Sequence, residues 1–361
     1  MNPVHVNLGP RSYDITFANA EAQQGVVARA ASPRSTSAMI VADEHTEALA
    51  DPILESFKQA GFRASMVIVQ AGEETKSLFW AGELYDELAE IGADRRTLVV
   101  PVGGGVVGDL AGFAAATYNR GLPLFMIPTS LLAMVDSSVG GKVGINHAKG
   151  KNLIGAFHQP VGVWIDTSLL STLPDREYLS GLAEVVKYGV IMDAEFFAFL
   201  EANAEALLAR EASAIQEIVA RSCQLKAQVV EQDEREETGL RAILNYGHTF
   251  AHAFETIAGY GTWLHGEAVS AGMICASQLA HKLALAGEEV IARPRALLEK
   301  FQLPLAPLRE WDADEMIAIM RRDKKAQNGK LNFVLPTKIG HVQLVEVTDE
   351  AAVRAVFSGG K

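Results

Sequence analysis

The chain has 361 residues, 49% of them hydrophobic and 21% charged, enough for two globular domains of roughly 150 residues each. Its net charge of −12 argues against a general nucleic-acid or membrane-surface binder, though a local basic cluster can still serve an anionic ligand. Two cysteines, Cys223 and Cys275, are too few for a disulfide framework and are expected as buried free thiols. Met1 to Asp14 lacks a signal-peptide pattern. The most apolar stretch, Leu122 to Val135, is interrupted by Pro128 and is shorter than the about 20 residues that span a bilayer. A cytoplasmic enzyme is expected.

In chain order, Ala38 to Ala42 reads as a strand ending at Asp43. Glu47 to Ala60 has helical spacing, with Leu49, Ile53, Leu54 and Phe57 on one face, and stops at Gly61. Ser65 to Gln70 reads as a strand, Leu78 to Ile91 as a helix, and Thr97 to Val102 as a β-branched strand running into glycines. Pro123 to Ile127 and Val161 to Ile165 are further strands. This alternation predicts a parallel sheet covered by helices. From Asp175 helical periodicity takes over, and strand-like runs nearly vanish until Leu331 to Leu335. Glu195 to Asp233, without proline or glycine, predicts one or two long helices. Ser171 to Glu177 carries a helix-start signature. The expected organisation is an α/β nucleotide-binding domain over 1–172 and a mainly helical metal- and substrate-binding domain over 173–361. The short hinge predicts that the two face each other across a cleft.

Gly103-Gly104-Gly105-Val106-Val107-Gly108-Asp109 sits between a strand and a small-residue helix. In that context glycines let the backbone approach a pyrophosphate, and the helix start offers free N–H groups. The spacing departs from the usual dinucleotide fingerprint, so a plain tight turn remains an alternative. Asp43, at a strand end, suits a ribose hydroxyl. Downstream, Lys142, Lys149 and Lys151 lie among glycines, and Asp136, Lys142, Asn146, Lys151 and Asn152 are interleaved with Val, Ile and Leu. Such an anchored loop suits a phosphorylated polyol; the bland reading is a flexible loop with solvated lysines.

Three of the nine histidines, His248, His252 and His265, lie close together on segments rich in Ala, Gly and Phe. Glu184 and Lys187 share a helix face at i, i+3, which taken alone is an ordinary surface ion pair. Glu184, His248 and His265 jointly form a two-His, one-Glu set that leaves metal positions open for substrate oxygens. His252, one turn from His248, is open to two readings: a substrate contact, or a contact that orients a ligand. A chain with both a phosphate-cradling loop and a divalent-metal triad suits chemistry in which a dinucleotide takes a hydride while a metal acidifies the hydroxyl that loses it.

At this point the chain resembles the 3-dehydroquinate synthases, sugar-phosphate cyclases of the shikimate pathway. The resemblance runs from about residue 10 to 345. Its motifs are Gly72 to Ser77, the Gly103 to Asp109 turn, Asp136 to Lys142, Lys151 to Phe157, Gly181 to Glu184, Asn245 to Thr249 and His265 to Val269. It implies an NAD site at Asp43, Glu73, Lys76, Gly104, Gly105, Val106, Val107, Gly108, Asp109, Thr129 and Ser130, with Lys142, Lys151, Leu169 and Thr172. It implies zinc, or cobalt as a substitute, on Glu184, His248 and His265. Substrate is implied at Asp136, Lys142, Asn152, Lys187, Lys226, Arg241, Asn245 and His252, with a further basic group from Lys324 or Lys325. Arg120 resembles an arginine that reaches the phosphate in a neighbouring subunit, which implies a homodimer. The family often has two threonines where this chain has Thr129-Ser130, and glutamine where it has Met134.

The implied reaction converts 3-deoxy-D-arabino-heptulosonate 7-phosphate to 3-dehydroquinate and phosphate. It proceeds by transient C5 oxidation, phosphate elimination, re-reduction and intramolecular aldol closure, with no net redox change. Rival readings are a 2-deoxy-scyllo-inosose or valiolone synthase, an iron-type polyol dehydrogenase that would release NADH, and a non-catalytic NAD-binding protein.

Overall fold

The computed structural model describes residues 2–17, 30, 35–259, 261–306, 312–323 and 331–357. The chain divides into two compact units, Met1–Leu173 with Lys226–Arg235, and Pro174–Leu225 with Glu236–Lys361. Among the described residues no helix is long and apolar enough to cross a membrane.

The first unit contains β1 (Val4–Val6), β2 (Tyr13–Phe17), β3 (Ser37–Asp43), α1 (Glu47–Gln59), β4 (Arg63–Val69), α2 (Leu78–Glu90), β5 (Leu98–Gly103), α3 (Gly105–Thr117), β6 (Phe125–Pro128), the hairpin strands β7 (Lys142–His147) and β8 (Gly150–Phe157), and β9 (Gly162–Ile165). Seven strands form one sheet in the order β1-β2-β9-β6-β5-β3-β4. All neighbours are parallel except β1 and β2. The parallel α/β expectation is met. β3 is buried along nearly its whole length, as a strand covered on both faces must be. On one side Ala38, Ile40 and Ala42 join Leu98, Val100 and Val102 against Ala50, Ile53 and Phe57 of α1. Full burial of a side chain such as Phe57 contributes about 2–3 kcal/mol.

The hairpin β7–β8 corrects the expectation of a loop between 139 and 155. Its two strands pair antiparallel, with Gly144 opposite Gly155. A Cβ on Gly155 would lie 2.5 Å from the Val143 carbonyl oxygen, and one on Gly144 2.8 Å from that of Ile154. The backbones approach too closely for side chains at that pair, so the usual β-branched signal is missing. Gly112 lets α3 lie against the same hairpin, because a Cβ there would fall 2.4 Å from Val143 Cγ1.

The second unit is mainly helical. It runs α4 (Asp175–Met192), α5 (Ala194–Ala202), α6 (Ala204–Leu208), α7 (Ala212–Gln232), α8 (His248–Ala258), α9 (His265–Lys282), α10 (Glu289–Lys300), α11 (Ala313–Asp323), β10 (Leu331–Lys338), β11 (His341–Val347) and α12 (Glu350–Phe357). The last turns of α7, from Lys226, belong to the first unit. The segment expected as one or two long helices is three, α5 to α7. Asp193 caps α5 by accepting from Phe196 N–H at 2.9 Å, and Arg210, at φ +55°, ends the next turn. β11 was not predicted. It follows a turn at Gly340, whose φ of +85° suits glycine, and four of its seven residues point away from the core. Cys223 and Cys275 are buried thiols not joined in a disulfide, as expected; burial pushes the Cys275 thiol up to about 12.

Candidate metal centre and nucleotide loop

Glu184 on α4, His248 at the start of α8 and His265 at the start of α9 bring one ligand atom each to within 4.8 Å of the others. Glu184 Oε1 lies 3.7 Å from Nε2 of His248 and 3.7 Å from Nε2 of His265. It is buried, with no hydrogen-bond partner. Ligands about 2.0–2.1 Å from a tetrahedral ion stand roughly 3.3 Å apart, so a divalent ion fits with small side-chain adjustment. Both imidazoles turn Nε2 inward and Nδ1 outward. Nδ1 of His248 is 3.2 Å from the Tyr246 carbonyl oxygen, and Nδ1 of His265 is 3.7 Å from Glu255 Oε1. Partners on the outer nitrogen fix the tautomer that leaves Nε2 free to ligate.

Glycine packing brings these elements together. A Cβ on Gly266 would lie 1.9 Å from the Ser180 carbonyl oxygen, and one on Gly272 would lie 2.2 Å from that of Gly247. α9 therefore packs backbone to backbone on α4 and on the start of α8. Gly247 has φ +82° and turns the chain into α8 just before His248. Glu267 accepts from Leu264 N–H at 2.8 Å and from Arg176 at 2.7 and 2.8 Å, which holds the approach to His265.

The pair Glu184 and Lys187 is not on the surface: both residues are essentially fully buried, and the Lys187 ammonium contacts Glu184 Oε2. Burial, then the positive charge of Lys187 and the neighbouring imidazoles, holds the pKa of His248 well below its ordinary value. Burial also acts to lower that of His265, but Glu255 and Glu184 outweigh it and the net shift is upward. The His252 ring centroid is 5.7 Å from that of His248 and 6.5 Å from that of His265. Arg241 is buried, with Nε 3.9 Å from Glu236 Oε1, and Asn245 is exposed in the same turn.

In the first unit, Gly103 ends β5, Gly104 precedes α3, and Gly105, Val106, Val107, Gly108 and Asp109 form the first turn of the helix. A Cβ on Gly103 would meet Val107 at 2.7 Å, so this turn must be glycine. Asp109 Oδ2 accepts from Lys76 Nζ at 2.7 Å, and Asn152 Oδ1 accepts from the same ammonium at 2.5 Å. Glu73 is 3.7 Å from Lys76 and accepts from Asn146 Nδ2 at 2.8 Å. Burial disfavours the Lys76 ammonium most, yet Asp109 and Glu73 outweigh it and raise its pKa. Burial pushes the Asp109 carboxyl upward, opposed by the neighbouring Lys76 ammonium. Lys226 Nζ donates to Asp136 Oδ1 at 2.8 Å and to its carbonyl at 2.7 Å.

Of the other expected residues, Thr129 and Ser130 lie beside the glycine turn. Asp43 Oδ1 accepts from His45 N–H at 3.0 Å and from Thr46 N–H and Oγ1 at 2.9 and 2.8 Å. Thr129 is buried and its N–H donates to the Gly103 carbonyl at 3.0 Å; Ser130 Oγ accepts from Ala133 N–H at 3.3 Å. Lys142 is exposed at the start of β7, and Lys151 is half-buried in β8. Arg120 is exposed at φ +65°. Thr172 donates to the Leu169 carbonyl at 2.9 Å. Met134 is fully buried. Lys324 and Lys325 lie outside the described residues. Asn146, expected in the polyol-binding segment, ties Glu73 to Asn152, and Glu255 is the residue here with no expected role. Glu255 lies at i+7 from His248 and i+3 from His252, a shared helix face that the sequence already contained.

The family model for the 3-dehydroquinate synthase N-terminal region matches residues 66–180, and the one for the C-terminal region matches residues 181–326. The chain belongs to the 3-dehydroquinate synthase family. Within this family, the 3-dehydroquinate synthase of Rhodopirellula baltica is 47% identical, over 98% of this chain and 96% of that protein. Among solved structures, a 2-epi-5-epi-valiolone synthase from Streptomyces hygroscopicus with NAD+ and Zn2+ bound has a TM-score of 0.86 at 28% identity, covering 95% of each chain. A 2-deoxy-scyllo-inosose synthase complexed with carbaglucose-6-phosphate, NAD+ and Co2+ has a TM-score of 0.89 at 28% identity, covering 100% of each.

Proposed function

We infer that this chain catalyses the 3-dehydroquinate synthase reaction, from 3-deoxy-D-arabino-heptulosonate 7-phosphate to 3-dehydroquinate and phosphate, using NAD and a zinc or cobalt ion. The observation that carries this is the convergence of Glu184, His248 and His265 in a member of this family. The NAD+ and the Zn2+ or Co2+ of the two solved cyclases support the same cofactors here.

Residues 1–172 would serve NAD and residues 173–361 metal and substrate. The helix start at Gly104 to Asp109 offers N–H groups to a pyrophosphate, with Asp43 for a ribose and Glu73, Lys76, Thr129, Ser130, Lys142, Lys151, Leu169 and Thr172 around the dinucleotide. Glu184, His248 and His265 would hold the ion. When bound, the ion supplies acidification of a coordinated hydroxyl, and NAD supplies reversible hydride acceptance. Asp136, Asn152, Lys226, Arg241, Asn245 and His252 would orient the polyol. Lys142 and Lys187, with Arg120 from the neighbouring subunit of a homodimer, would stabilise the departing phosphate. The substrate's own phosphate dianion can accept the C6 proton, so no side-chain base is required. A cytoplasmic location fits this chemistry.

A second reading, another sugar-phosphate cyclase, is favoured by the likeness to the valiolone and inosose synthases. The deciding experiment supplies heptulosonate phosphate and glucose 6-phosphate separately, with NAD+ and zinc, and identifies the products. Dehydroquinate from the first and no carbocycle from the second is the expected result. The reverse pattern overturns the assignment.

A further inference from the structure

Both ligand imidazoles need their outer nitrogen held if Nε2 is to point inward, and the two are held differently. His248 uses the backbone carbonyl of Tyr246 at 3.2 Å. His265 faces a side chain, with Nδ1 3.7 Å from Glu255 Oε1 and Nε2 3.7 Å from Glu184 Oε1. Its ring therefore lies between two carboxylates, one on each nitrogen.

We propose that Glu255 is a positioning residue for the metal centre: it takes the Nδ1 hydrogen of His265, fixes the ring with Nε2 toward Glu184 and His248, and strengthens it as a ligand. This rests on the metal-centre reading above. Three observations carry it. Glu255 is a buried carboxylate, 4% exposed, on the helix that also carries His248, and its Oε1 faces Nδ1 of His265. The His265 backbone is already fixed, because Gly266 N–H donates to Ser180 Oγ at 3.1 Å and Gly266 packs on the Ser180 carbonyl. What remains to be set is ring rotation. The side chain is 34% exposed, more than that of either other ligand, so packing alone constrains it least. The 3.7 Å gap is longer than a hydrogen bond and closes with a small rotation of either side chain. A carboxylate behind a ligating imidazole raises its basicity and fixes its orientation, and losing one typically weakens metal binding about 10–100-fold.

The test uses the full chain stripped of metal. Zinc affinity is measured by chelator competition, and cobalt binding by its visible absorption, for the wild type, Glu255→Gln and Glu255→Ala. The wild type should take up one equivalent. Glu255→Gln, which keeps the shape and loses the charge, should bind zinc about 10-fold more weakly or worse and shift the cobalt bands. Glu255→Ala should be weaker still. If Glu255→Ala fails to fold, the near-isosteric glutamine variant decides the matter alone. Unchanged zinc affinity and cobalt bands in Glu255→Gln overturn the proposal, even if that variant melts earlier. A wild type that binds no ion overturns the metal centre itself and this inference with it, a result distinct from an intact centre indifferent to Glu255.

Discussion

Gly266 and Ser180 meet backbone to backbone, such that a Cβ on the glycine would fall 1.9 Å from the serine carbonyl oxygen. Gly266 follows His265, and Ser180 lies one helical turn before Glu184, so this contact sets the spacing of two proposed ligands. Gly266→Ala must push α9 off α4. It is expected to cost about 2–3 kcal/mol and to weaken zinc binding with it. Urea unfolding and chelator competition on the same preparation check both effects.

His265→Ala removes a proposed ligand whose side chain is one-third exposed. The fold should survive, with unchanged far-ultraviolet circular dichroism. Turnover should fall on the order of a thousandfold, the scale of several kcal/mol of metal assistance. Near-normal turnover of this variant at trace metal would remove His265 from the centre.

Lys76 is buried against Asp109, Glu73 and Asn152. Lys76→Met leaves the partly buried Asp109 carboxylate without its cation, and loss of such a charge-assisted hydrogen bond typically costs about 1.5–3 kcal/mol. Thermal unfolding of the variant should show this loss, and the Michaelis constant for NAD should rise alongside it.

Metal removal should be visible without any assay of turnover. If only the folded chain binds zinc, free ion at a hundred times its dissociation constant adds about 2.7 kcal/mol. Calorimetry with and without chelator should therefore separate two melting temperatures, and the difference should collapse in His265→Ala.

Glu234, in the segment at the end of α7, takes a charge-assisted hydrogen bond from Arg11, which is the main reason its pKa is depressed. A carboxyl depressed on folding adds stability above its unfolded pKa and loses it as pH falls through the folded one. Glu234→Gln should thus cost at most about 0.5 kcal/mol at pH 7, since exposed pairs are screened. The difference from wild type should disappear as the pH falls below the folded-state pKa of Glu234. Denaturant midpoints at neutral and acidic pH test the sign.

Much of this was legible because period and punctuation agreed. The strands at 38–42 and 97–102 and the helix at 47–60 carry apolar spacing that ends at glycine or aspartate, and the structure follows them closely. The convergence of Glu184, His248 and His265 was legible because each lies in a dense local motif. Tertiary contact decided the rest. The hairpin at 142–157 pairs glycine with glycine and so carries little β signal. The burial of Glu184 with Lys187 depends on helices remote in sequence, and an i, i+3 charge pair looks the same on a surface. Glu255 shared a helix face with two histidines, but its approach to His265 depends on where α9 packs.

The most direct test follows phosphate release and absorbance at 340 nm together, with heptulosonate phosphate, NAD+ and zinc. The account predicts one phosphate per dehydroquinate, no lasting rise in NADH, and complete loss of activity under chelator. NADH accumulating in step with substrate consumption would contradict it and make the chain a dehydrogenase.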